Sequence, residues 1–212
     1  MQKINIILAP NQNLYLTSDL HFGHRNVIRF CERPYVDEKE MLRALISNWN
    51  DTVQPNDFIF SLGDFSWWTS RHEVKKLVGQ LKGKKYFIPG NHCKEGMYEL
   101  ITDKDFHECS DIVHLYLQGR DGDPRFEKHK TYEVVLCHYP LTTWSHADHS
   151  NCYHFFGHIH SRAGQPMTEF GKPLALNFGK CLDAGCDRHG YTPTSIFDLI
   201  QAAENYPAEY IS

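Results

Sequence analysis

Fourteen histidines stand in this chain of 212 residues. Imidazole is the commonest metal ligand and the side chain best suited to acid–base work near neutral pH. Several of these histidines fall in short groups with other donors: Asp19-Leu20-His21, Gly63-Asp64, Gly90-Asn91-His92, His138, and Gly157-His158-Ile159-His160. In an extended segment residues i and i+2 point the same way, so Asp19 with His21, and His158 with His160, can each reach one site together. Glycine ahead of a donor permits a sharp turn and close backbone approach. Asp19, His21, Asp64, Asn91, His138, His158 and His160 make a mixed oxygen and nitrogen set. Such donors suit borderline divalent transition ions, manganese first and iron, zinc or nickel after it, better than calcium or magnesium. Seven ligands exceed the three or four that one catalytic ion takes, so two ions are expected. A carboxylate between two ions can bridge them, and a pair about 3.5–4 Å apart clamps a phosphoryl group.

These groups need strands to position them. Strands are expected at 3–8 and 14–18, joined by the polar turn Asn11-Gln12-Asn13, and at 58–62, 86–88, 112–117, 132–136, 153–156 and 174–178. Five of them run directly into a donor group, and in open α/β sheets ligands gather at the carboxyl ends of strands. Asp37 with Glu40 caps a helix whose apolar stripe is Met41, Leu42, Leu45, Ile46, Trp49 and Val53, with Pro55 beyond it. Ser70 with Glu73 caps a second, with stripe Val74, Leu77, Val78 and Leu81, expected to close near Gly83. Arg120-Asp121-Gly122-Asp123-Pro124-Arg125 reads as an exposed hairpin or loop. Helices alternate with strands in the first half and strands dominate the second. The expected class is therefore α/β, with packed sheets and helices outside.

The length suits one domain over 1–212. With 22 Lys and Arg against 26 Asp and Glu the net charge is −4. No strong basic field exists for tight, nonspecific nucleic-acid binding. The early apolar run at 4–10 is short and interrupted by Asn5, so neither a signal peptide nor a membrane span is expected. The seven cysteines are odd in number, scattered and without a C-x-x-C pair. A reducing compartment, the cytoplasm, is the simpler expectation.

The ordered blocks D-x-H, G-D, G-N-H, a lone His and G-H-x-H resemble the calcineurin-like metallophosphoesterases. The wording Asp19-Leu20-His21-Phe22-Gly23-His24, with Gly190-Tyr191-Thr192-Pro193, is similar to the small cap-less bacterial and phage members. The resemblance implies a β-sandwich flanked by helices (αββα layers) with a dimetal site at the sheet edge. It also implies Asp19, His21 and His160 on one ion, Asn91, His138 and His158 on the other, and Asp64 bridging. His92 would be the non-ligand histidine that protonates the leaving group or stabilises the transition state. The implied reaction is hydrolysis of phosphomonoesters or phosphodiesters by metal-bound hydroxide attacking phosphorus, on small, nucleotide-derived substrates. A nuclease acting on DNA or RNA ends, and a catalytically silent scaffold, are the alternatives; no oligomeric state is implied. Two positions depart from the family pattern: Cys93 stands where Asp or Glu usually follows G-N-H, and Phe65-Ser66-Trp67-Trp68 stands where a further acid is common.

Other residues have two readings each. His24, Arg25 and Asn26 are candidates for substrate phosphate, unless Asn26 caps a turn and Arg25 is solvated. Arg162 is a candidate phosphate clamp or a surface ion pair. His146-Ala147-Asp148-His149 is a candidate third metal site or substrate-facing loop, or a solvated loop. Trp67, Trp68 and Trp144 are candidates to stack a nucleobase or to pack the core and rim. Cys93 is expected to be buried or to orient neighbours.

Overall fold

The structure, a computed structural model, describes residues 1–67, 70–93, 106–169, 172–173 and 180–206. Twelve strands are described: β1 Gln2–Leu8, β2 Leu14–Thr17, β3 Phe58–Leu62, β4 Lys84–Ile88, β5 Phe106–Glu108, β6 Ile112–Gly119, β7 Thr131–Cys137, β8 Cys152–Phe156, β9 Thr168–Glu169, β10 Lys172–Pro173, β11 Cys181–Asp183 and β12 Thr194–Ser195. Helices are α1 Arg25–Phe30, α2 Glu38–Thr52, α3 Arg71–Val78 and α4 Ile196–Glu204. A first sheet has the order β1-β6-β7-β8-β11 and a second β12-β2-β3-β4-β5, with β9 and β10 a separate small ribbon. In the second sheet β2, β3, β4 and β5 are mutually parallel; in the first, β7, β8 and β11 are.

Alternation along the strands decides which faces meet. Ile6 and Leu8 of β1, Val113, Leu115 and Leu117 of β6, and Val134 and Leu136 of β7 join Leu14, Leu16, Phe60 and Ile88 of the second sheet in one buried core. A second core lies on the other face of the second sheet, where Ile59 and Phe87 meet Met41, Leu45 and Trp49 of α2 and Val74, Leu77 and Val78 of α3. The caps follow the sequence pattern. Asp37 accepts the Glu40 N–H at 2.8 Å and Ser70 the Glu73 N–H at 3.4 Å. The fold is thus two parallel-rich sheets packed face to face and flanked by helices, the expected class. Among the described residues no helix is long and apolar enough to cross a membrane.

Several boundaries differ from expectation. α3 stops at Val78, with Gly79 at its C-cap rather than Gly83; glycine is a poor interior residue, and Leu81 reaches the core from the following turn. The 120–125 segment joins antiparallel β6 and β7 but is only partly exposed. Asp123 and Phe126 are buried, and the Arg125 guanidinium donates to Asp123 and to the Gln12 and Ala9 carbonyls. α1 and α4 were not among the expected elements. The strand expected at 174–178 and Trp68 lie outside the described residues.

His154 illustrates how the first sheet fixes a polar side chain. Fully buried on β8, it donates from Nδ1 to the Val135 carbonyl (2.9 Å) and accepts the Leu141 N–H at Nε2 (3.0 Å), which requires a neutral ring. Burial pushes its pKa down from 6.5 to about 4. The unfolded ring takes a proton near pH 6.5 and the folded ring only near 4. Its contribution is therefore complete above pH 6.5 and lost as pH falls towards 4, by about 3 kcal/mol. Urea melts between pH 7.5 and 4 should show this decline, and His154→Gln should flatten it. An unchanged slope in the variant would place the proton uptake elsewhere.

Candidate metal centre

All seven expected ligands leave carboxyl ends of strands at the edge where the two sheets meet. Asp19 and His21 follow β2, Asp64 follows β3, Asn91 and His92 follow β4, His138 follows β7, and His158 and His160 follow β8. Backbone hydrogen bonds continue beyond the strands: Asp19 N–H to the Gly63 carbonyl, His21 N–H to that of Asp64, and Gly157 N–H to that of His138. Asp19, His21, Asp64, His158 and His160 all have left-handed backbone, φ between 47° and 73°. Each costs free energy for an L residue and persists where the surroundings over-determine it. Gly90 and Gly157 are fixed by crowding, because a Cβ would collide with the Asp64 carboxylate at one and the Ser18 hydroxyl at the other.

The donors form two groups joined by one carboxylate. In the first, His21 Nε2 lies 3.3 Å from His160 Nε2, which is 3.8 Å from Asp19 Oδ1. In the second, Asn91 Oδ1 lies 2.8 Å from His138 Nε2 and 3.0 Å from His158 Nδ1. Asp64 Oδ2 stands between them, 3.7 Å from His21 Nε2 and 3.6 Å from His138 Nε2. Its other oxygen accepts the His92 N–H at 2.9 Å. Asp19 and Asp64 are only 0% and 2% exposed. Burial, offset in part by His160, pushes the Asp19 carboxyl up to about 7, and its Oδ1 has no hydrogen-bond partner. A buried acceptor without a donor, facing imidazole nitrogens, is the chemistry a cation would satisfy. The residues present therefore fit divalent ions.

Outer contacts aim the rings. His138 Nδ1 donates to the Leu62 carbonyl at 2.8 Å, leaving Nε2 as the electron-pair donor; burial lowers its pKa. His160 Nδ1 meets Asp187 Oδ2 at 2.7 Å and Cys31 Sγ at 3.4 Å. Burial opposes its protonation, but these hydrogen bonds raise its pKa to about 11. Asp187 also receives the buried Arg33 guanidinium, whose Nη2 donates to the Asp19 carbonyl at 2.7 Å and Nη1 to that of Leu20 at 3.1 Å. One Asp187–Arg33 pair thus braces ligands that come from both ends of the chain. None of Asp187, Arg33 and Cys31 stood out in the sequence, since each is single and far from the motif it serves.

The remaining candidates separate clearly. His92 is 42% exposed, with Nε2 4.0 Å from Asp64 Oδ2. Its ring lies between those of His21 (5.6 Å) and Trp67 (5.1 Å). Cys93 turns its sulfur to the Gly90 N–H at 3.2 Å. His24 stacks on the exposed Trp67 at 4.1 Å, and burial and His92 lower its pKa. Arg25 and Asn26 open α1 on the surface, lining a depression with Arg29 and Val36 that none of the ligands shares. Arg162 donates to Glu32 and the Cys31 carbonyl, both at 2.9 Å, the ion-pair alternative. Trp144 is buried beside His154, in the core rather than over the ligands. Exposed Tyr139, which the motifs did not indicate, sets its ring against His138 and His158 at 4.9 and 4.8 Å.

Residues 13–162, which carry all of these ligands, match the calcineurin-like phosphoesterase family. The chain belongs to that family. Among its relatives is an uncharacterised protein of Methanocaldococcus jannaschii, 42% identical over 88 residues. That match covers 40% of this chain and spans about half (49%) of the archaeal protein's length. The Gene 66 protein of Mycobacterium phage L5 is 31% identical over 168 residues, covering 70% of this chain and 78% of the phage protein. The crystal structure of AQ665 from Aquifex aeolicus, a protein of unknown function, aligns with a TM-score of 0.61 and 25% identity. The alignment covers 90% of this chain and 99% of that one. Members of the calcineurin-like phosphoesterase family typically bind divalent metals, and this chain has clustered Asp and His groups able to hold them. Asp187→Asn keeps one acceptor but removes the charge behind His160 and Arg33. Isothermal titration of manganese should show affinity falling about 10–100-fold, with a lower thermal midpoint. Unchanged affinity would remove Asp187 from this role.

Proposed function

We propose that the protein is a dimetal-dependent hydrolase of small phosphomonoesters or phosphodiesters, nucleotide-derived ones among them. The observation that carries this is the buried Asp64 carboxylate between two donor groups, with the exposed imidazole of His92 beside it. Asp19, His21 and His160 would hold one ion, Asn91, His138 and His158 the other, and Asp64 both. Manganese is the first choice for such donors. Bound there, a metal pair lowers the pKa of water and neutralises charge on the phosphoryl oxygens.

The chain's own residues account for the rest. The bond from the His92 N–H to Asp64 sets the imidazole by the same carboxylate the ions would share. From the exposed rim the ring can donate a hydrogen bond or a proton to the leaving oxygen. Trp67, Asn91, His92 and Cys93 line a cavity of about 200 Å³, on the scale of one small group. Exposed Trp67 and Tyr139 offer apolar walls on the two sides of the ligands. With a net charge of −4, this favours small esters over a long polymer. His24 remains a candidate substrate contact through Trp67. We read the chain as one catalytic domain. The scattered, odd-numbered cysteines without a C-x-x-C pair fit a reducing compartment such as the cytoplasm.

Metal-stripped protein should regain hydrolysis of an aryl phosphate or aryl phosphodiester on addition of manganese. No activity with any divalent ion would leave the silent scaffold, and preference for short DNA or RNA over small esters would leave the nuclease. Asp64→Ala should abolish turnover and metal loading together. His92→Ala should keep its metal while kcat falls about 10²–10⁴-fold; an unchanged kcat would place the acid elsewhere.

A further inference from the structure

The loop between β7 and β8 carries imidazoles that the proposed reaction does not use. On the face of the first sheet opposite Val113, Leu115 and Val134, His114 of β6 and Glu133 of β7 meet His146 of this loop. His114 Nε2 lies 3.0 Å, and His146 Nδ1 2.6 Å, from the same oxygen, Glu133 Oε2. One donor atom from each residue lies within 4.8 Å of the other two. The His114 side chain is 1% exposed and that of His146 45%, so the cluster is anchored inside and open on one side.

Two features repeat those of the main centre. The spacing around Glu133 Oε2 resembles that around Asn91 Oδ1, where two imidazole nitrogens approach at 2.8 and 3.0 Å. His146 also has left-handed backbone, φ 60°, as five of the main ligands do. That conformation turns its ring back to the sheet at a cost the surroundings must offset. Each imidazole is also aimed from behind. Tyr116 stacks on His114 at 4.4 Å with its hydroxyl 3.4 Å from Nδ1, leaving Nε2 for Glu133. His149 stacks on His146 at 4.6 Å and donates its N–H to the His146 carbonyl.

We propose that His114, Glu133 and His146 form a separate site for a divalent transition cation, with zinc the best match. Two imidazoles and one carboxylate, with a fourth position open to water, are a characteristic zinc donor set. Lys3, in register with His114 on β1, is the facing positive charge, and Glu133 supplies the opposing one. A cation there ties the loop to β6 and β7. Because that loop begins directly after His138, the tie steadies the segment that delivers a main-centre ligand.

The test uses metal-free full-length protein equilibrated with buffered zinc, desalted and assayed for zinc per chain by mass spectrometry. His146→Ala, in a half-exposed loop position, and Glu133→Gln should each bind one equivalent less than the unaltered protein. Their manganese-supported hydrolysis, measured without zinc, should be unchanged. Equal zinc in all three proteins overturns the proposal, as does loss of every equivalent, which would mean these residues act through the main centre. Cobalt in place of zinc gives a second readout, a visible d–d band present in the unaltered protein and weakened in both variants. The zinc count does not depend on hydrolysis, so this site and the proposed activity can fail separately.

Discussion

Two carboxylates, Asp19 and Asp64, are buried together at the junction of the sheets. Taking such groups out of water costs several kcal/mol each unless opposite charge or hydrogen-bond donors compensate. Much of the local architecture supplies that compensation. Asp19 Oδ2 accepts the His158 N–H and Asp64 Oδ1 that of His92. The imidazoles of His21, His138 and His160 crowd the remaining oxygens. The left-handed residues and the crowded glycines follow from the same requirement, since only such turns bring backbone N–H groups and rings onto the two acids at once.

The compensation extends one layer outward through Arg33. A buried guanidinium needs acceptors in its plane, and it finds the carbonyls of Asp19 and Leu20 on one side and Asp187 on the other. Asp187 in turn meets His160. Charge therefore alternates through the centre: acid, imidazole, acid, guanidinium. With Cys93 facing the Gly90 backbone, the acid usual after G-N-H has no counterpart there, and His92 is held through its own backbone by Asp64.

Much of the fold and of the candidate site's donor cluster was legible in the residues. Alternating apolar positions marked β1, β6 and β7, capping pairs marked α2 and α3, and the donor blocks sit at strand ends because parallel strands share one carboxyl edge. α4 carries a sequence signal too: Ser195 with Asp198 three residues on, then Ile196, Leu199, Ile200 and Ala203 at helical spacing. Asp187 and Arg33 had none, because their partners are 27 and 154 residues away and only the folded chain brings them together. Arg162 shows the same limit from the other side. Its position beside a ligand block allowed a phosphate clamp or an ion pair; the structure shows the ion pair, with Glu32, a partner 130 positions away that the sequence could not name.

That remoteness also bears on how the molecule is made. Parallel β1 pairs with β6, β2 pairs with β12 near the other end of the chain, and His21 meets His160 across 139 positions. Contacts so distant in sequence must close large loops before they contribute anything, which slows folding. On the ribosome, the first half can dock α2 and α3 on the strands β2 to β4 as it emerges, but both acids then wait among incomplete partners. The chain must present residue 187 before the last of their neighbours arrives. The candidate metal centre is therefore complete only after residue 187 has emerged, long after the strands that carry its two acids.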